Sequence, residues 1–78
     1  MVKKRKLKIG IVGCGAIGSS LAREIVVNLR DSARLVALYD IKSEKSRLLS
    51  KQLIKNAKFC VDNLDALINR SDLVIESS

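Results

Sequence analysis

The chain has 78 residues, 47% of them apolar and 29% charged, with a net charge of +7; this excludes a disordered polymer and allows one domain at most. One Tyr, one Phe and no Trp or Pro leave the core to aliphatic side chains, which suits a parallel sheet under helices. There is no His, and the two cysteines, Cys14 and Cys60, match no metal-ligand spacing, so neither a zinc site nor a Ser-His or Cys-His nucleophile is expected.

Residues 1–6 form a basic leader. Lys3, Lys4, Arg5 and Lys6, with Lys8 just beyond, crowd one end of the chain. Such runs can bind nucleic acid or an anionic membrane surface. The aromatic stacking platforms of single-strand binders are missing here, which favours a solvated segment that keeps a sheet edge soluble. The apolar stretch after it is cut by Gly10, Gly13 and Gly15, too soon for the core of a signal peptide. No run approaches the roughly 18 apolar residues of a membrane span. The expected compartment is the cytoplasm, with no membrane partner.

Leu7 to Val12 reads as a buried strand in which Gly10 admits a close neighbour. From Ala16, the apolar positions Ile17, Leu21, Ile25 and Leu29 recur every four residues, joined by Ala22 and Val26. This predicts an amphipathic helix of about three turns, closed by a loop at Asp31-Ser32. Leu35 to Tyr39 is a second strand ending at Asp40. Ser43 and Glu44 mark a second helix start, with Leu48, Leu49, Leu53 and Ile54 facing inward and Asn56 as its cap after Lys55. Phe59-Cys60-Val61 predicts a weak third strand. Asp62 or Asn63 caps a short helix through Leu64, Leu67 and Ile68, ending near Arg70. Leu73-Val74-Ile75 is the fourth strand, running into Glu76, Ser77 and Ser78.

Strands alternating with helices through short connections predict an α/β fold. Right-handed crossovers arrange it as a partial Rossmann domain, a parallel sheet of four strands in the order 3-2-1-4 with three helices. A sheet that stops at its fourth strand has an open apolar edge. The expectation is therefore a truncated dinucleotide-binding domain over residues 7–78, lacking a substrate domain, or a chain that closes its edge by association.

The spacing Gly13-x-Gly15-x-x-Gly18 follows the first strand and opens the first helix, the context that makes it a dinucleotide-binding turn. Gly13 permits the tight turn, Gly15 leaves room for a pyrophosphate, and Gly18 lets the helix pack closely. Amides near Ala16 and Ile17 face the phosphates at the positive end of the helix dipole. Asp40, twenty-two positions after Gly18, is placed to accept from the ribose hydroxyls and to repel a 2′-phosphate, which favours NAD over NADP. Lys42 keeps NADP open as a second cofactor. Two readings of Cys14 stay open: a thiol activated by the helix dipole, or a position that wants a small side chain. Glu76, Ser77 and Ser78 fall where a fourth strand delivers its loop to the crevice, with an ordinary strand end as the alternative. No residue is assigned a catalytic role, and no metal is expected.

Lys8 to Gly18, then Leu35-Val36-Ala37-Leu38-Tyr39-Asp40 and Leu73-Val74-Ile75-Glu76-Ser77-Ser78, resemble the amino-terminal part of the L-aspartate dehydrogenase family. The resemblance implies NAD(P)-dependent oxidative deamination of L-aspartate, in the service of NAD biosynthesis. It also implies a second, α+β domain that carries the catalytic histidine, which this chain does not contain. A nicotinamide dinucleotide is the implied ligand, and a complementary catalytic chain or a second copy the implied partner. A free-standing nucleotide-binding or partner-docking module is the alternative.

Overall fold

The computed structural model describes residues 5–53 and 59–78. In chain order the elements are β1 (Leu7–Val12), α1 (Ala16–Val27), β2 (Ala33–Tyr39), α2 (Ser43–Leu53), α3 (Leu64–Arg70) and β3 (Leu73–Glu76). The sheet is parallel with the order β2-β1-β3, so the carboxyl ends of all its strands gather at one pole. The Rossmann arrangement holds, but the sheet has three strands instead of four. Phe59-Cys60-Val61 does lie beside β2, where the third strand was expected. It makes only a single parallel bridge between Leu38 and Cys60, with Leu38 N–H donating to Phe59 O and Val61 N–H to Leu38 O. One residue later the chain turns at Asp62-Asn63 to start α3, before a second bridge can form.

Alternation along β1 divides the core into two. Ile9 and Ile11 face α1 and α2, joining Ala22, Ile25, Leu35, Leu38 and Leu49. The opposite face gathers Val12, Ala37, Val61 and Leu67 under α3. Gly10 is the point of closest approach, since a Cβ there would run into the Ser71 hydroxyl and the Leu67 side chain. Ser71 Oγ donates to Leu67 O at 2.6 Å, which holds the end of α3 in that notch.

Two helix faces differ from the expected stripes. On α1 the buried positions are Gly18, Ala22 and Ile25, with Leu21 and Val26 partly covered; Ile17 is 68% exposed and Leu29 lies beyond the helix. A four-residue repeat drifts away from the core, because a helix turns once in 3.6 residues. On α2 the inward stripe is Ser46, Leu49, Ser50 and Leu53, an i, i+3, i+4, i+7 series, and Leu48 is exposed. Small buried serines let α2 lie close to its neighbours, and Ser46 satisfies its hydroxyl on Ser43 O at 3.0 Å. Helix α2 begins at Ser43 itself, one position earlier than a Ser43 cap would require. The expected positions of Ile54, Lys55 and Asn56 lie outside the described residues. Asn63, not Asp62, caps α3: its side chain accepts from Ala66 N–H at 2.8 Å.

Leu38 is fully buried at the place where α2, β1 and the Cys60 segment meet. Leu38→Ala is expected to remove about 2–5 kcal/mol, out of the roughly 4–12 kcal/mol that a chain of this length holds. Urea denaturation followed by circular dichroism measures the loss. An unchanged midpoint would show that the packing does not depend on this side chain.

Candidate functional site

The site is built where β1 ends. Gly13 has φ +96°, a left-handed conformation open to glycine at little cost, and a Cβ there would strike the backbone of Ser77 and Ser78. Its N–H donates to Tyr39 O at 2.7 Å, so the turn stays tied to β2. Gly18 sits one helical turn on, where a Cβ would collide with Gly13 O. Gly15 differs from both: its φ is −80°, and a Cβ placed on it would meet nothing within 4 Å. Neither backbone nor packing demands glycine at that position.

Helix α1 opens at this turn with its first main-chain bond from Ser19 N–H to Gly15 O at 2.9 Å. The amides of Ala16 and Ile17 precede that bond and point out of the helix start. No acidic side chain occupies the first turn of α1, so nothing in the chain competes there for the dipole's positive end.

Asp40 is brought to the turn by β2 and is already engaged. Its Oδ2 accepts from Cys14 N–H at 2.7 Å and its Oδ1 from Lys42 N–H at 2.8 Å. These two bonds, Cys14 first, hold the carboxyl below its ordinary value of 3.8, with Lys45 and Lys42 adding smaller favourable charge. Each carboxylate oxygen keeps further lone-pair capacity, and the side chain is only half-buried. Beside it, Val12, Gly13, Tyr39, Ile41 and Leu64 line a cleft of about 290 Å³. Ile41, 90% exposed, offers a bare apolar surface at its mouth.

Cys14 is buried, with its sulfur 3.8 Å from Tyr39 O. Burial first, then the Asp40 and Cys60 charges, push the thiol up to about 11. That answers the choice left by the sequence: the position wants a small buried side chain, and the thiol is not activated. Cys60, at its single bridge to Leu38, is exposed.

Ser77 and Ser78 divide between the two readings offered for them. Ser77 fastens β3 to the turn: its N–H donates to Val12 O at 2.8 Å, and its Oγ lies 3.0 Å from Val12 O and 2.8 Å from Gly13 O. Ser78 lines the cleft and donates through N–H and Oγ to Glu76, whose carboxyl is lowered by these bonds. Neither the Ser77 strut nor the Asp40 clip was legible in the residue order, since each depends on a contact between distant strands. Among the described residues, no group of three or more His, Cys, Asp or Glu could hold a metal ion, and no helix is long and apolar enough to cross a membrane.

Comparison with known proteins agrees with this geometry. The family model described as "Oxidoreductase family, NAD-binding Rossmann fold" matches residues 7–76. An L-aspartate dehydrogenase of Methanocaldococcus jannaschii is 38% identical over 73 residues, covering 92% of this chain and 26% of that protein. The L-aspartate dehydrogenase of Methanosarcina acetivorans is 43% identical over 72 residues, with the same coverage. The chain thus spans about a quarter of the length of the curated relatives it matches. Among solved structures, UDP-N-acetylglucosamine 3-dehydrogenase from Acidithiobacillus ferrooxidans superposes with a TM-score of 0.77 at 20% identity, over 95% of this chain and 22% of that one. At that identity the likeness concerns the fold.

The Asp40 clip makes stability depend on pH with a definite sign. Its folded-state carboxyl is lowered, so the contribution is complete above the ordinary value of 3.8 and is lost as pH falls through the lowered folded value. Melting curves of the wild type and Asp40→Asn between pH 7 and pH 2 test this. The wild type is expected to be the more stable at neutral pH, with the difference shrinking below about pH 4. A difference that is constant across the range would contradict the clip.

Proposed function

This chain belongs to the oxidoreductase family that carries the NAD-binding Rossmann fold, and we propose that Gly13, Gly15, Ala16, Ile17, Gly18 and Asp40 are its cofactor-binding residues. The observation that carries this reading is Gly15. Open space stands where its side chain would be, beside helix-start amides and the positive dipole end that favour an anion. Gly13 and Gly18 set the turn and the helix so that these amides converge. Ala16 and Ile17 hold the pyrophosphate through main-chain N–H groups. The remaining lone pairs of Asp40 accept from the adenosine ribose hydroxyls, and its charge disfavours a 2′-phosphate, so NAD is preferred. Lys42 and Lys45 soften that charge and leave NADP as the weaker ligand. Ile41 supplies an apolar seat at the cleft mouth.

A nicotinamide dinucleotide held there supplies a hydride acceptor or donor. The reaction we infer is oxidative deamination of L-aspartate, in line with the relatives at 38% and 43% identity. Residues 7–78 are then a dinucleotide-binding domain preceded by the basic leader of residues 1–6. Substrate binding and proton transfer come from outside these residues, which contain no histidine. A second reading, a free-standing nucleotide-binding or docking module, draws on the exposed Leu73 and Val74 of β3.

Calorimetric titration of the 78-residue chain tests the proposal. NAD is expected to bind at least about tenfold more tightly than NADP, and Asp40→Asn to narrow that ratio by removing the like-charge contact. Tighter binding of NADP by the wild type would overturn the role of Asp40, and no binding of either would overturn the site. Aspartate added to the NAD-loaded chain should yield no reduced nicotinamide absorbance. Turnover by the chain alone would contradict the assignment of catalysis elsewhere.

A further inference from the structure

A parallel sheet that gathers its strand ends at the cofactor cleft gathers its strand beginnings at the opposite pole, and there Lys6 meets other cations. Lys6 immediately precedes β1, Arg34 is the second residue of β2, and Arg30 follows the end of α1. All three are exposed, and among the described residues none has an ion pair or side-chain hydrogen bond. They rim one hollow of about 280 Å³. Its wall is apolar, made by Ile25, Val26, Leu35 and Phe59, and no described carboxylate lines it.

We infer that this hollow is a binding site for a small carboxylate with a compact apolar body. Three exposed cations around one opening favour an anionic head, and guanidinium groups match a carboxylate in geometry as well as charge. The aliphatic and aromatic wall favours an apolar body. The volume, at the low end for ligand pockets, sets the scale at a short alkyl or single-ring carboxylate. The site is separate from the glycine turn, so its occupation does not require the dinucleotide.

Nitrogen-15 NMR titration of the full chain with benzoate tests the inference, with acetate and benzyl alcohol as probes of head and body alone. Benzoate is expected to bind saturably, with shifts centred on Val26, Ala33, Arg34 and Leu35, and about tenfold more tightly than either control. Arg30→Ala and Arg34→Ala should each weaken benzoate several-fold while leaving the melting temperature and NAD affinity unchanged. Equal binding of benzoate and benzyl alcohol, shifts scattered away from the hollow, or unaltered affinity in both arginine variants would overturn it.

Discussion

The end of β1 is held by four strands of contact that all close on Gly13 and its neighbour. Gly13 N–H is bound to Tyr39 O, Cys14 N–H to Asp40, Gly13 O is met by the Ser77 hydroxyl, and Gly18 lies against that same carbonyl. Together they staple the turn to β2, β3 and α1 at once. The turn itself carries little apolar surface, so its shape comes from these bonds more than from burial. Each bond satisfies a main-chain group that would otherwise be left without a partner near the core, where such a group costs about 1–3 kcal/mol. The direction of the α1 amides, and with it the site, depends on that arrangement.

Within this frame the three glycines are not equivalent. Gly13 and Gly18 are demanded by the protein's own atoms: one by a positive φ, both by neighbouring backbone. Gly15 is demanded by none of the described residues: a Cβ there would meet nothing within 4 Å. Asp40 shows the opposite economy. One carboxylate both fixes the loop through Cys14 and Lys42 and retains acceptor capacity beside the cleft.

Local patterns made much of the fold readable. The strand-helix alternation, the glycine spacing and the acid at the end of β2 all follow from residue order, since each rests on neighbours within a few positions. What failed to show were properties set by distant partners. Phe59-Cys60-Val61 has strand composition, yet whether it forms a ladder depends on how soon the chain must leave for the Asn63 cap. The small size of Ser46 and Ser50 suits the inward face of α2 despite their polarity, and Leu48, expected there, is displaced outward. Ser77 looked like a strand end near the crevice, and only the sheet order β2-β1-β3 brings its hydroxyl to the turn.

We propose that Gly15 is kept free for a ligand and not for the fold. Gly15→Ala tests it with two readings on one protein, thermal melting and NAD calorimetry. The added methyl enters open space at an ordinary φ, so stability should change by no more than about 1 kcal/mol, the N-cap preference for glycine over alanine opposing the gain in unfolded-state entropy, while NAD affinity falls about tenfold or more through crowding worth about 1.4–3 kcal/mol. Unchanged NAD affinity in a fully folded variant would contradict the claim.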